Sequence, residues 1–152
     1  MILFLLVPIC VYGQTVPQTH AESDLETLKT LLKDGTVAKI QVLHFSDSAL
    51  TRVSLTPQLL RDWAEIVKTF DKNLVETFGP VFSGITVKHV DHPSDVRWGV
   101  LFYDSQNHEI AALFVGQFGY GYLNGETVSF DTGFHGVDIA TRLHKATGIP
   151  RG

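Results

Sequence analysis

The sequence has almost no cysteine or methionine. Its one Cys is Cys10 and its one Met is Met1, both in a short apolar stretch at the start of the chain. A chain cleaved after residue 13 would keep no thiol, so neither a disulfide nor a thiolate nucleophile could form in it. Because no Asn-x-Ser/Thr acceptor is present either, we favour bacterial export over a eukaryotic secretory route.

Excess basic charge is also missing. The 12 basic and 16 acidic residues give a net charge of −4 and are mixed along the chain. Because the sequence has no stripe of basic residues that could bind phosphate backbones, we expect no nucleic-acid partner.

Known catalytic signatures are absent from the sequence. It contains no Gly-x-Ser-x-Gly elbow, no Walker loop and no His-Glu-x-x-His, and its glycines do not follow the dinucleotide spacing. We therefore expect no cofactor and favour a non-enzymatic protein over an enzyme.

The first residues predict export. Residues 2–11 are almost wholly apolar, and no Lys, Arg, Asp or Glu occurs before Glu22. This run is shorter than the roughly 20 residues that span a bilayer. We interpret residues 1–13 as a signal peptide, cut before Gln14, which leaves no transmembrane segment in the mature chain and places the protein in the periplasm or outside the cell. Two points stay open: the lack of an early Lys or Arg questions the start site, and Cys10 raises the alternative of lipidation, although Ile9 before it is not small.

Residues 14–21 are interpreted as a flexible lead-in, and residues 22–152 as a single α+β domain. The first helix is predicted from a capping box, Ser23 to Glu26, as far as Gly35. Thr56 as a cap, Pro57 after it and apolar residues at helical spacing predict a second helix as far as Phe70. A third helix is predicted over residues 133–147.

Alternating and β-branched patterns predict strands between these helices. The predicted strands cover residues 37–45, 85–90, 96–103, 109–115, 120–123 and 126–130. Asn124-Gly125 predicts a tight hairpin. The expected fold is α+β, with an antiparallel sheet of five or six strands and two or three helices packed on one face.

One polar segment has the residue types of a metal or acid/base site. The candidates are His89, Asp91 and His92, with Asp95 and His108 as further ligands and His135 as a further catalytic group. The alternative is a solvated β-turn and a solvated helix face. His44 alternates with Ile40 and Val42, which favours a core histidine that has hydrogen-bond partners.

A second group of residues is typical of binding surfaces. Residues 116–125 contain four glycines and three aromatics, and we single out Phe118, Tyr120, Tyr122 and Asn124. Arg97 and Tyr103 are expected on a sheet face that helices leave open. The structural alternatives are a bulged hairpin whose aromatics cover neighbouring glycines and a half-solvated sheet face.

Together these patterns favour an exported, non-enzymatic binding or inhibitor-like module that acts on a protein, peptide or glycan. The alternative function is a metal-dependent or acid/base hydrolase that uses His89, Asp91 and His92. A structural protein of the cell envelope is a third hypothesis. The sequence leaves the partner and the oligomeric state open.

Overall fold

The computed structural model describes residues 19–92, 94–133 and 136–150. The predicted signal peptide, residues 1–13, lies outside this range. The α-helices of the described chain are α1 (His20–Lys33), α2 (Pro57–Trp63), α3 (Lys72–Val75) and α4 (Ile139–Thr147). A 3₁₀ helix (Glu76–Phe82) follows α3, and a short second one covers Gln117–Gly119. No helix in the described ranges is both long enough and apolar enough to cross a membrane.

One antiparallel sheet organises the molecule. Its strands are β1 (Lys39–His44), β2 (Ile66–Asp71), β3 (Thr86–His89), β4 (Val96–Tyr103), β5 (Glu109–Gly116), β6 (Tyr120–Leu123) and β7 (Glu126–Asp131). Across the sheet they lie in the order β2-β1-β4-β5-β6-β7-β3. The α+β class and the antiparallel sheet are confirmed, and the described sheet has seven strands instead of five or six.

The first helix begins earlier than predicted. Thr19 is the N-cap, and its hydroxyl and the carboxylate of Glu22 accept each other's backbone N–H bonds. This capping box replaces the predicted one at Ser23 and Glu26. Ala21 is fully buried within α1, so the predicted lead-in of residues 14–21 extends too far.

The second helix is only half as long as predicted. Thr56 caps it and Pro57 begins it as expected, but Ala64 has extended backbone angles (φ −52°, ψ 125°) and ends it. Residues Ile66–Asp71 then form β2, which pairs antiparallel with β1 over six residue pairs. The apolar residues between 59 and 70 have helical spacing, but the second half of this segment forms an edge strand of the sheet.

Both faces of the sheet are covered, which corrects the prediction that helices pack on one side. The main core joins α1, α3, the 3₁₀ helix and α4 to one face, through side chains such as Leu25, Phe82 and Leu143. A smaller cluster on the other face surrounds Leu60 of α2, with Leu55 and Leu101. α2 therefore occupies the centre of the face that was expected to be open.

The last helix begins later than predicted. Asp138 is its N-cap and accepts a hydrogen bond from the backbone N–H of Thr141. Gly148, with φ of +67°, ends α4 in the left-handed conformation that glycine adopts without a Cβ clash. The helix therefore occupies residues 139–147 and not 133–147.

Candidate functional site

The predicted metal or acid/base residues that the structure describes do not form one cluster. His89 and Asp91 share one contact, 2.9 Å between Nε2 and Oδ1, and both side chains are exposed. The His92 ring packs edge-on against Tyr120, with centroids 4.7 Å apart. His108 pairs with Asp104.

In the described ranges, no group of three His, Cys, Asp or Glu side chains is arranged to hold a metal. His135 lies outside the described residues. The hydrolase hypothesis therefore gains no assembled site from the part of the chain that the structure describes.

Arg97 is buried and not on an open sheet face, which corrects its expected placement. Its side chain is 6% exposed. The guanidinium contacts Asp95 Oδ2 through Nε and Nη2, and Nη1 donates to the carbonyls of Ser46 and Ala49. Asp95 also accepts a hydrogen bond from the backbone N–H of Leu55. Arg97 thus holds the β1–α2 connection against β4, which explains the residue without a ligand.

The other residues singled out on this face already have partners. The Tyr103 hydroxyl lies 3.5 Å from Gln41, and the Tyr122 hydroxyl accepts a hydrogen bond from the Ser94 backbone N–H. Asn124 accepts from the backbone N–H of Ala112 and donates to Asp24. Burial raises the pKa of Tyr103, as does neighbouring Glu109, while Arg61 opposes this shift.

Two glycines of the 116–125 segment have a structural explanation. A Cβ on Gly116 would lie 2.2 Å from the Asp95 carbonyl oxygen, and a Cβ on Gly121 would lie 1.9 Å from that of Phe114. Both positions therefore need glycine for close approach of the backbone. The Phe130 ring also lies over Gly121, in agreement with aromatics that cover neighbouring glycines.

Phe118 is different, because it is exposed and in an unusual backbone conformation. Its side chain is 91% exposed, and its angles (φ 60°, ψ 22°) are left-handed. A bulky residue in this region carries strain of roughly 1–3 kcal/mol. The exposed ring contributes almost no buried surface to the described fold.

Phe118 lies beside a cleft of about 540 Å³ at one end of the sheet. We call it the α4 cleft. Residues of β4, the end of β5 with the turn that follows it, the end of β7 and the start of α4 line it. Its aromatic and apolar lining includes Trp98, Val115, Phe118, Phe130 and Ile139. The same lining includes the carboxylates Asp47, Asp131 and Asp138 and the amide of Gln117.

Beside this cleft lies a pair of buried rings with unused hydrogen-bonding groups. Trp98 lines the cleft, and the His44 ring packs against it at 4.2 Å between centroids. Both residues are 1% exposed. Among the described residues, neither nitrogen of His44 nor the indole N–H of Trp98 has a hydrogen-bond partner. A buried polar group that lacks any partner costs about 1–3 kcal/mol, so groups of this kind are uncommon in folded proteins.

The electrostatics of this region are negative. Burial lowers the pKa of His44; Asp47 and Glu65 oppose the shift, and His144 adds to it. His44 is therefore neutral at neutral pH, and the described lining of the cleft contains carboxylates but no Lys, Arg or His side chain. Composition pointed to Phe118, but no local pattern marked Asp47, or the missing partners of His44 and Trp98.

No known family model, curated protein or solved structure matches this chain. The site is therefore defined by its own geometry.

Proposed function

We propose that the protein is an exported, non-enzymatic binding module for a protein, peptide or glycan, and that the α4 cleft is its binding site. The observation that carries the proposal is the exposed, left-handed Phe118 beside an open cleft. Burial of a Phe side chain contributes roughly 1.5–3 kcal/mol, and nothing in the described fold uses it. A partner that covers this ring would gain that free energy.

The contrast with the opposite sheet face supports the same site. A cleft of about 410 Å³ on that face is lined by Arg61, Glu109, Tyr122 and Asn124. Arg61 forms two hydrogen bonds with Glu109, and Tyr122 and Asn124 are bonded within the fold. At the α4 cleft, by comparison, the indole N–H of Trp98 and the carboxylate of Asp47 have no hydrogen bond to any described residue. Unused groups beside an open cleft are what a binding site provides.

Export remains part of this proposal. The apolar residues 2–11, the absence of charge before Glu22 and the lack of cysteine after residue 10 support it. The periplasm or the cell exterior is then where the partner is met.

Affinity capture from the exported fraction of the source cells tests this function. We expect wild-type protein to retain a discrete partner and Phe118→Ser to lose most of it, because the substitution removes the exposed ring. Leu50→Ser is the matched control, since Leu50 is also fully exposed but does not line the cleft. Equal capture by folded Phe118→Ser and wild type would remove the α4 cleft from the proposal.

A further inference from the structure

The charge of the α4 cleft selects the chemistry of its ligand. Asp47, Asp131 and Asp138 line it, and the described lining contains no cationic side chain. Asp138 is used as the N-cap of α4, and Asp131 Oδ1 accepts from the Gly133 N–H. This leaves Asp131 Oδ2 and the half-buried carboxylate of Asp47 without a hydrogen bond to any described residue. A cation is the group that such carboxylates attract.

The aromatic side of the cleft favours the same ligand. Phe118 offers an exposed ring within the same lining as the carboxylates. A cation within about 6 Å of an aromatic face is attracted by the ring quadrupole. Val115 and Ile139 supply apolar surface for a hydrocarbon stem, so the lining suits a long side chain that ends in a positive charge.

A buried donor, the indole N–H of Trp98, lies beside the cleft. The N–H of Trp98 is a donor only, it belongs to a residue that is 1% exposed, and it has no acceptor among the described residues. A peptide brings backbone carbonyl oxygens together with its side chains, whereas an inorganic cation or a simple amine brings no acceptor. Because the N–H atom is itself buried, an acceptor reaches it only when the ring moves and opens it to the cleft.

We propose that the α4 cleft binds a lysine or arginine side chain of a protein or peptide partner, between the ring of Phe118 and the carboxylates of Asp47 and Asp131. This inference rests on the proposed function and specifies its ligand. The side chain stem would lie on the apolar lining.

The test is a titration of ¹⁵N-labelled protein with acetyl-Gly-Arg-Gly-amide and with the same peptide carrying citrulline, which is neutral and nearly the same shape. The indole N–H signal of Trp98 is the probe, assigned by comparison with Trp63→Phe. We expect the arginine peptide to shift this signal and the amides of residues 116–119, and the citrulline peptide to bind roughly tenfold more weakly. Added salt should weaken binding of the arginine peptide, because it screens the attraction between charges.

Variants of the carboxylates sharpen the result. Asp47→Asn and Asp131→Asn keep the shape of the side chain and remove its charge. Each should lower the affinity for the arginine peptide several-fold. Asp91→Asn removes the same charge from an exposed residue outside the cleft and should change nothing.

Two outcomes would overturn the inference. Equal binding of the arginine and citrulline peptides would exclude a cation-selective site, although binding in the cleft would still agree with the proposed function. No shift from either peptide at millimolar concentration would exclude a basic side chain as the ligand. Failure of the proposed function itself is seen separately, when Phe118→Ser captures partners as wild type does.

Discussion

At the scale of single residues, the buried ring pair His44 and Trp98 is the least expected feature. The alternation of His44 with Ile40 and Val42 correctly predicts that it is buried, but the expected hydrogen-bond partners are not found among the described residues. Whether a histidine finds a partner depends on which strands lie beside it, and that is not written in its own segment. Local sequence therefore predicts burial better than it predicts hydrogen bonding.

The buried His44 predicts a dependence of stability on pH. Burial lowers its folded-state pKa below the unfolded value of about 6.5. The neutral ring is compatible with the fold, so its contribution to stability is complete above about pH 6.5 and is lost as pH falls through that value toward the folded pKa. Asp47, Glu65 and His144 are the charged or titratable groups that act on it.

His44→Phe removes the titrating group and keeps a ring against Trp98. We expect its urea midpoint to fall less than that of wild type between about pH 7.5 and about pH 5.5. His20→Gln, which replaces an exposed histidine, should behave as wild type. An identical acid-dependent loss in wild type and His44→Phe would show that His44 does not cause it.

At the scale of elements, the sequence predicts strands well where turns bound them. The bounds of β4 and β6 agree with the prediction, because alternation ends at clear turn residues and Asn124-Gly125 closes the hairpin. The prediction of one helix as far as Phe70 is wrong for a physical reason. In a strand, Ile66, Lys68 and Phe70 lie on one face, so these residues also fit β2. Pairing with β1, which is distant in the sequence, favours the strand over the helix.

The shortened α2 makes a definite prediction for stability. Leu60 is fully buried at the centre of the smaller cluster, between α2 and the sheet. Leu60→Ala should lower the free energy of unfolding by about 2–5 kcal/mol, since it leaves a cavity in that cluster. Chemical denaturation measures the change.

Leu50→Ala is the control for this measurement. Because the Leu50 side chain is fully exposed, this substitution should lower the free energy of unfolding by less than about 0.5 kcal/mol. If the two alanine variants were equally stable, α2 would not be anchored on this face of the sheet.

At the scale of the whole molecule, the α4 cleft depends on topology. β3 precedes β4 in the chain but lies at the far edge beside β7, and the start of α4 lines the cleft together with residues of β4, β5 and β7. Short turns predict neighbouring hairpins, but they do not predict where β3 and α4 are placed. For this reason the sequence indicated Phe118 as a binding residue without its cleft, and grouped it with Tyr122, which lies on the opposite face.

The proposed function requires a partner to lie in the α4 cleft against Phe118. The most direct measurement replaces Phe118 with the photo-crosslinking residue p-benzoylphenylalanine, irradiates the exported fraction and identifies the crosslinked fragments by mass spectrometry. The same residue at Trp63, another exposed aromatic that does not line the cleft, is the control. We predict partner adducts from position 118 alone, with lysine or arginine near the crosslinked site. Adducts from position 63 with none from position 118 would show that the partner does not bind in the α4 cleft.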